Sequence, residues 1–433
     1  MRYFSLNHNA PEVSFQEAVL RGLAPDKGLY FPNAINRLPD SFFETIESLD
    51  HVTIAFEAIK QFVGDEIPDH DLQAILKDVL NFAFPVVEIE KNIASLELYH
   101  GPTMAFKDVG ARFMARCLRC FNKQKDSQQE VTVLVATSGD TGGAVASGFL
   151  GVDGVEVVIL YPSGKVSDIQ ERQLTTLGKN ITAFEVHGVF DDCQAIVKRA
   201  FLDEDFKGKR TLTSANSINI ARWLPQMFYY FFAYKALKHQ SKQLVFSVPS
   251  GNYGNICAGM VAQKLGLPIQ HFITGTNAND TVPEYLNSGD YKTKSSVATI
   301  SNAMDVGDPS NFIRIEELHD HDFEKLISNL SGFSYSDTET IEAINYLNDT
   351  KDYIADPHGA IGYMALKDYL DKNEQIQGVF LETAHPIKFL PVMPRSIADN
   401  MEIPPQIKEL LHLEKKRITI SNYDELKEYL LNN

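Results

Sequence analysis

Lys107, in the stretch His100-Gly-Pro-Thr-Met-Ala-Phe-Lys-Asp-Val-Gly110, is the residue around which covalent chemistry in this chain can be organised. It follows a Gly-Pro turn and opens a segment in which Val109, Phe113, Met114, Cys117, Leu118 and Phe121 recur at spacings of three and four. That spacing marks one face of a helix. Lys107 is therefore expected at a helix start, on a loop held by a packed element. A reacting amine needs such a mounting, because its nitrogen must be held to a fraction of an ångström. Alone, the stretch fits a surface lysine better than a catalytic one, so other residues must supply the amine with a purpose.

Two strand–glycine–helix junctions do so. Thr137-Ser-Gly-Asp-Thr-Gly-Gly143 follows the apolar run 131–136, and Pro249-Ser-Gly-Asn-Tyr-Gly-Asn255 follows the run 243–248. A glycine turn at a helix start presents free N–H groups and a local positive potential, which suit a carboxylate or phosphate. Either could equally be an ordinary capped turn. The second has neither a Walker lysine nor the glycine spacing of a dinucleotide fingerprint, and a single phosphate is its better-matched guest. Ser214-Ala-Asn-Ser-Ile-Asn-Ile-Ala-Arg222 adds a polar cluster whose arginine can clamp a phosphate. Leu381-Glu-Thr-Ala-His-Pro386 places a hydroxyl and an imidazole after a strand, although a lone His385 is more often structural than basic. One amine with several anion sites fits a lysine carrying pyridoxal phosphate, one turn holding the cofactor phosphate and the others an anionic substrate.

The elements that must position these groups read as an α/β fold. Residues 1–90 form a helical N-terminal region: Ser14-Phe-Gln-Glu17 is a capping-box pattern, and further helical patterns lie near 40–63 and 69–82. Strands are expected at 86–89, 96–99, 131–136, 155–161, 181–186, 211–213, 243–248, 268–274 and 378–382, with helices between most of them. Alternation of this kind implies mainly parallel sheets flanked by helices, with ligands at the carboxyl ends of the strands. Two lobes are expected, a small one at 91–235 that starts near the lysine and a large one at 236–433 with the second glycine turn. The tail after Pro404-Pro405 carries a helix at 423–431 and no visible chemistry.

Bulk properties exclude several classes. A net charge of −17 argues against a nucleic-acid binder. Four cysteines (Cys117, Cys120, Cys193 and Cys257) imply a reducing compartment and no disulfide scaffold. Cys117-x-x-Cys120 lacks a second pair and reads as helix packing, and His319-Asp-His321 reads as a solvated acidic turn, so no metal is expected. The aromatic run Phe228-Tyr-Tyr-Phe-Phe-Ala-Tyr234 reads as a buried helix, short of the ~20 apolar residues of a membrane span. No leader pattern opens the chain, and a cytoplasmic enzyme acting on a small molecule is the expectation.

In order and content these segments resemble the threonine synthase family, pyridoxal-phosphate enzymes of fold type II. The resemblance extends to the leader from Ser14 to Pro32 and to Asp356-Pro-His-Gly-Ala-Ile-Gly362. It implies conversion of O-phospho-L-homoserine and water to L-threonine and phosphate, by β,γ-elimination and then addition of water at the β carbon. Lys107 would form the Schiff base and shuttle protons; Gly251, Asn252, Tyr253, Gly254 and Asn255 would cradle the cofactor phosphate; Thr383 would hydrogen-bond the ring nitrogen. Thr137, Ser138 and Thr141 would hold the substrate carboxylate, and Asn216, Ser217 and Arg222 its phosphate. Asp140 would face the ring hydroxyl, where related fold-type-II enzymes usually carry asparagine; a carboxylate there repels a phenolate unless one is protonated. Two other readings stay open: a different pyridoxal-phosphate lyase on a β-substituted or phosphorylated amino acid or amine, and a non-catalytic binding protein on this fold.

Overall fold

The computed structural model describes residues 1–124, 130–206, 209–240, 242–370 and 376–432. Two largely parallel sheets carry the molecule. The larger places its strands in the spatial order Leu330–Ser334, Ile269–Thr276, Gln243–Pro249, Ile376–Glu382, Ile93–Glu97 and Val86–Glu90. Only the last pair is antiparallel, as a hairpin requires. The smaller runs Ile418–Ile420, Ile181–Val186, Val155–Pro162, Val131–Ala136 and Thr211–Ser214, parallel throughout. A short antiparallel pair, Tyr3–Ser5 with Tyr30–Pro32, anchors the N-terminal region.

The apolar runs become central strands because helices cover both faces: every residue of Val131–Ala136 and of Ile376–Glu382 is buried. The aromatic run forms the helix Phe228–Leu237, buried on most of its surface, as the lack of any polar face required. The pattern at 40–63 is split. Asp40–Thr45 gives way to His51–Val63, and the Asp50 side chain caps the second helix by accepting from the Thr53 N–H at 2.7 Å.

The sheets do not divide the chain at residues 90 and 235. Strands Val86–Glu90 and Ile93–Glu97 belong to the large sheet, while Ile418–Ile420 and the helix Tyr423–Asn432 pack with the small one. Three strands escape the hydrophobic pattern, among them Tyr30–Pro32 at the end of a turn-rich stretch. Leu-Ser-Gly-Phe-Ser, residues 330–334, is an edge strand with one fully buried residue, and Ile418–Ile420 has only three residues to show. His319 is also not solvated: it is buried, with Nδ1 bonded to the Ile315 carbonyl at 2.8 Å, and only His321 is exposed.

Parallel pairing is what gathers the chemistry. Gln243–Pro249, Ile376–Glu382 and Ile93–Glu97 are neighbours pointing the same way, so the segments after them emerge at one sheet edge. Val131–Ala136 and Thr211–Ser214 do the same for the small sheet.

Candidate active site

Lys107 is the first residue of the helix Lys107–Gln124, which packs mainly against the helices Asp140–Phe149, Ile220–Trp223 and Asp69–Val79. Its approach is fixed to the segment after Glu382. The Phe106 N–H donates to the Thr383 carbonyl at 2.8 Å, the His385 N–H donates to the Met104 carbonyl at 3.1 Å, and Ala105 bridges Ala384. Met104 adopts a left-handed backbone with φ of 59°, a strained choice that turns the chain into the helix. Asp108 closes the same turn from behind, accepting from the Thr103 N–H at 2.8 Å and from its hydroxyl. The half-buried Lys107 amine has no hydrogen bond or ion pair among the described residues. Burial pushes it down to about 8, against the upward pull of Asp140 and with Lys388 and Arg222 adding to the fall. An amine so placed is a nucleophile and base near neutrality.

The glycine turn after Ala136 presents Asp140 to this amine as the first residue of the helix Asp140–Phe149. Gly139, with φ of 139°, must be glycine: a Cβ there would lie 2.5 Å from the Gln170 side-chain amide. Asp140 is buried and paired with Lys388, whose Nζ lies 2.6 Å from Oδ1; Gln170 donates to the same oxygen at 3.0 Å. Burial alone would raise this carboxyl, but Lys388 first and then Lys107 hold it well below the usual carboxylate range. Lys388 is 0% exposed and also donates to the Thr103 carbonyl at 3.0 Å. It escaped the sequence reading because nothing in Pro-Ile-Lys-Phe-Leu, residues 386–390, separates a buried lysine from a surface one. Its place five residues after Thr383 was the only available hint.

Thr137 caps its own turn, its Oγ1 accepting from the N–H groups of Gly139 and Gly142 at 3.0 and 2.8 Å. The hydroxyl keeps its hydrogen to donate. Ser138 and Thr141 are half-buried beside it.

In the turn after Pro249 the left-handed residue is Tyr253, with φ of 61°, and neither Gly251 nor Gly254. Gly251 is required by crowding, since a Cβ would sit 2.7 Å from Met304 Cα. The Asn255 side chain braces the turn by donating to the Pro249 carbonyl at 2.9 Å. The N–H groups of Gly251, Asn252 and Tyr253 find no acceptor among the described residues, and Gly254 and Asn255 open the helix Gly254–Lys264, where N–H groups lack intrahelical partners. These five consecutive amides are thus left without backbone acceptors among the described residues at the start of a helix.

The Ser214–Arg222 cluster meets this turn directly. Ser217 Oγ accepts from Asn252 Nδ2 at 2.8 Å and from Asn311 Nδ2 at 3.2 Å. Asn216 donates to the Ala136 carbonyl at 2.9 Å, tying the two small-sheet strand ends together. Arg222 is buried, donates through Nη1 to the Ala215 carbonyl and leaves Nε without a partner. Arg314, also missed from sequence, spends its guanidinium on the Ile218, Ser217 and Tyr30 carbonyls and on Asn311, bracing the cluster from outside. The Thr383 hydroxyl makes no hydrogen bond to the described residues. His385 is a cap: its Nδ1 accepts from the Ile387 N–H at 3.1 Å, and burial pushes the ring down to about 4. Arg112 and Arg116 point away from the site and pair with Asp78.

The chain matches known proteins along its length. Residues 89–381 match the family described as pyridoxal-phosphate dependent enzyme, residues 2–79 the threonine synthase N terminus, and residues 359–430 the threonine synthase C-terminal region. The threonine synthase of Escherichia coli K12 is 43% identical over 412 residues, covering 94% of each chain. A crystal structure of the Escherichia coli threonine synthase superposes with a TM-score of 0.92 at 41% identity, covering all of both chains. The pyridoxal-phosphate-bound threonine synthase of Brucella melitensis gives 0.93 at 33% identity, covering 100% of this chain and 99% of the other. At 17% identity, a tomato threonine deaminase with a TM-score of 0.56 shares the fold alone. This chain, with its lysine at the junction of two parallel sheets, belongs to the threonine synthase family of fold-type-II pyridoxal-phosphate enzymes.

Proposed function

We propose that the site converts O-phospho-L-homoserine and water to L-threonine and phosphate, with Lys107 carrying the cofactor. The single observation that carries this is the Lys107 amine, which has no hydrogen bond or ion pair among the described residues and feels the charges of Asp140, Lys388 and Arg222. The residues fit the group. The unpaired amides of Gly251, Asn252 and Tyr253, with those of Gly254 and Asn255, suit its phosphate. Thr383 would hold the ring nitrogen through its free hydroxyl, and Asp140 would face the ring hydroxyl. Lys388 answers the electrostatic objection to a carboxylate there, because the pair enters the site with its charge already balanced. When bound, pyridoxal phosphate supplies an electron-withdrawing ring that makes protons on the α and β carbons of an attached amino acid removable.

The chain's own residues do the rest. Lys107, freed when the substrate amine takes its place, removes and returns protons at the substrate carbons. Thr137, Ser138 and Thr141 hold the substrate carboxylate at the start of the helix Asp140–Phe149. Asn216, Ser217 and Arg222 receive the phosphate that departs from the γ carbon; the free Arg222 Nε and the Ser217 O–H are donors suited to its growing charge. Water then adds at the β carbon. We place the reaction in the cytoplasm, in keeping with four cysteines that are all free thiols. Purified protein supplied with O-phospho-L-homoserine should release threonine and phosphate in equal amounts; phosphate released without threonine would assign a different lyase reaction.

A further inference from the structure

The segment Asp356-Pro-His-Gly has no role in the reaction as described, yet it forms a wholly buried polar cluster against the Thr383 segment. Asp356 and Glu382 are both 0% exposed. Asp356 accepts from the His358 N–H at 2.7 Å, from the His358 ring through Nδ1, and from the Ala384 N–H at 3.2 Å. His358 Nε2 in turn accepts from the Ala303 N–H at 3.3 Å. A backbone amide only donates, so this bond fixes the ring as the neutral tautomer with its proton on Nδ1. Capping the helix Pro357–Leu370 accounts for the bond to the His358 N–H and for nothing else in this set.

Glu382 has the opposite environment. It accepts one hydrogen bond, from the Asp356 N–H at 2.6 Å, and its Oε2 has no partner. Gly359 makes room for it, since a Cβ at that position would lie 1.5 Å from Oε2. Burial, and then the charge of Asp356, raise this carboxyl well above its ordinary range. Two buried carboxyls with no cation in contact cannot both be ionised. Three N–H donors select Asp356 as the charged one, and a donor-poor pocket keeps Glu382 neutral.

The cluster touches both ends of the cofactor site. Ala384 adjoins Thr383, and Ala303 belongs to the segment that presses on Gly251. We propose that Asp356 is a positioning residue of the reaction: its carboxylate, kept ionised beside a neutral Glu382, ties the Thr383 segment through His358 to the 302–304 segment over the phosphate turn, and supplies the fixed negative charge that keeps a proton on the lysine–cofactor unit. This rests on the reading that Thr383 meets the ring. Asp356 is the last of the charges that act on Lys107 and on His385, pulling both upward against burial. Beyond the pair, Glu97, Tyr99 and Tyr353 face Glu382, and Asp305 faces His358.

The test uses the cofactor-loaded enzyme. In Asp356→Asn the midpoint at which the visible cofactor band titrates should fall by about one pH unit, because a cationic form loses its counter-charge. The same variant should lose about tenfold in kcat while KM for O-phospho-L-homoserine stays within about twofold. Glu382→Gln, which keeps the acceptor and the neutrality, should titrate as the parent does. An Asp356→Asn band that titrates unchanged overturns the proposal, as does a Glu382→Gln shift equal to that of Asp356→Asn. If Asp356→Asn does not fold, carboxyl-carbon NMR of the unmutated holoenzyme labelled in glutamate decides. One glutamic acid should stay protonated through neutral pH and vanish in Glu382→Gln; its absence overturns the proposal. Failure of the underlying reading is separately visible: Thr383→Val leaving the band and the cofactor affinity unchanged removes Thr383 from the ring, and this role of Asp356 with it.

Discussion

Lys388 Nζ lies 2.6 Å from Asp140 Oδ1, in a pair that is withdrawn from solvent on both sides. Either partner alone would be a buried, uncompensated charge, which costs about 3–5 kcal/mol. Asp140→Asn and Lys388→Met should each destabilise by about that much, whereas the double variant should recover most of the loss. Urea unfolding of all four proteins gives the coupling. Single variants that each cost less than about 1 kcal/mol would show that the pair is not held as described. The asparagine of related enzymes is thus a poor substitution here unless position 388 changes with it.

Lys107 should make cofactor capture depend on pH. Its amine is driven down to about 8 mainly by burial, so it is protonated below that value and nucleophilic above it. The rate at which the cofactor-free chain takes up pyridoxal phosphate should rise with pH and level off near about 8, read as growth of the visible band. The same shift has a stability sign. Between the folded and unfolded values the unfolded chain binds more protons, so the cofactor-free protein gains stability as pH rises through that window. Lys107→Ala should abolish the band's covalent attachment and reduce turnover by about 1,000-fold or more.

Gly251→Ala tests the phosphate turn. The new Cβ would meet Met304 Cα at 2.7 Å and the Ala303 carbonyl at 2.8 Å, so backbone must move. A loss of about 1–3 kcal/mol in stability is expected, with cofactor affinity lower by about tenfold. At Gly254 the nearest atom stands at 3.4 Å, and alanine there should change the unfolding midpoint little. Equal melting temperatures for the two variants would contradict the crowding at Gly251.

Ser217 joins two segments that sequence kept apart. Its hydroxyl accepts from Asn252 and from Asn311, and under the proposed function its own hydrogen would be left for the substrate phosphate. Ser217→Ala should therefore weaken cofactor binding and raise KM for O-phospho-L-homoserine together, each by about 1–2 kcal/mol. Titration of the cofactor followed by steady-state kinetics separates the two. A change in KM alone would confine Ser217 to the substrate.

The strands that carry the site were legible in the sequence because central parallel strands are nearly wholly buried, and runs such as Val131–Ala136 are apolar almost throughout. The two glycine turns were legible because they stand at the ends of those runs, and Lys107 because helical spacing begins just after it. What stayed hidden depends on contacts between distant segments. Lys388 and Arg314 look like surface cations until their partners at 140 and 218 are brought beside them. Gly251 read as room for an anion beside the backbone, but what a Cβ there would meet is residue 304, and the left-handed position fell on Tyr253. The sheet assignment of the chain ends was invisible because three-residue strands and hairpins carry no label for the sheet they will join.

The membership of Ile93–Glu97 in the large sheet bears on how the protein is made. This strand pairs on one side with its hairpin partner and on the other with Ile376–Glu382, which leaves the ribosome nearly 300 residues later. Lys107 follows the early strand and Thr383 the late one, so the two segments meet only when synthesis is almost complete. The small sheet waits longer still for Ile418–Ile420 at its edge. Such long-range pairing makes folding slow and leaves partly built sheet edges exposed to wrong partners. A nascent chain cannot be rescued by early cofactor capture, and aggregation during expression should respond to temperature and chaperone supply far more than to added pyridoxal phosphate.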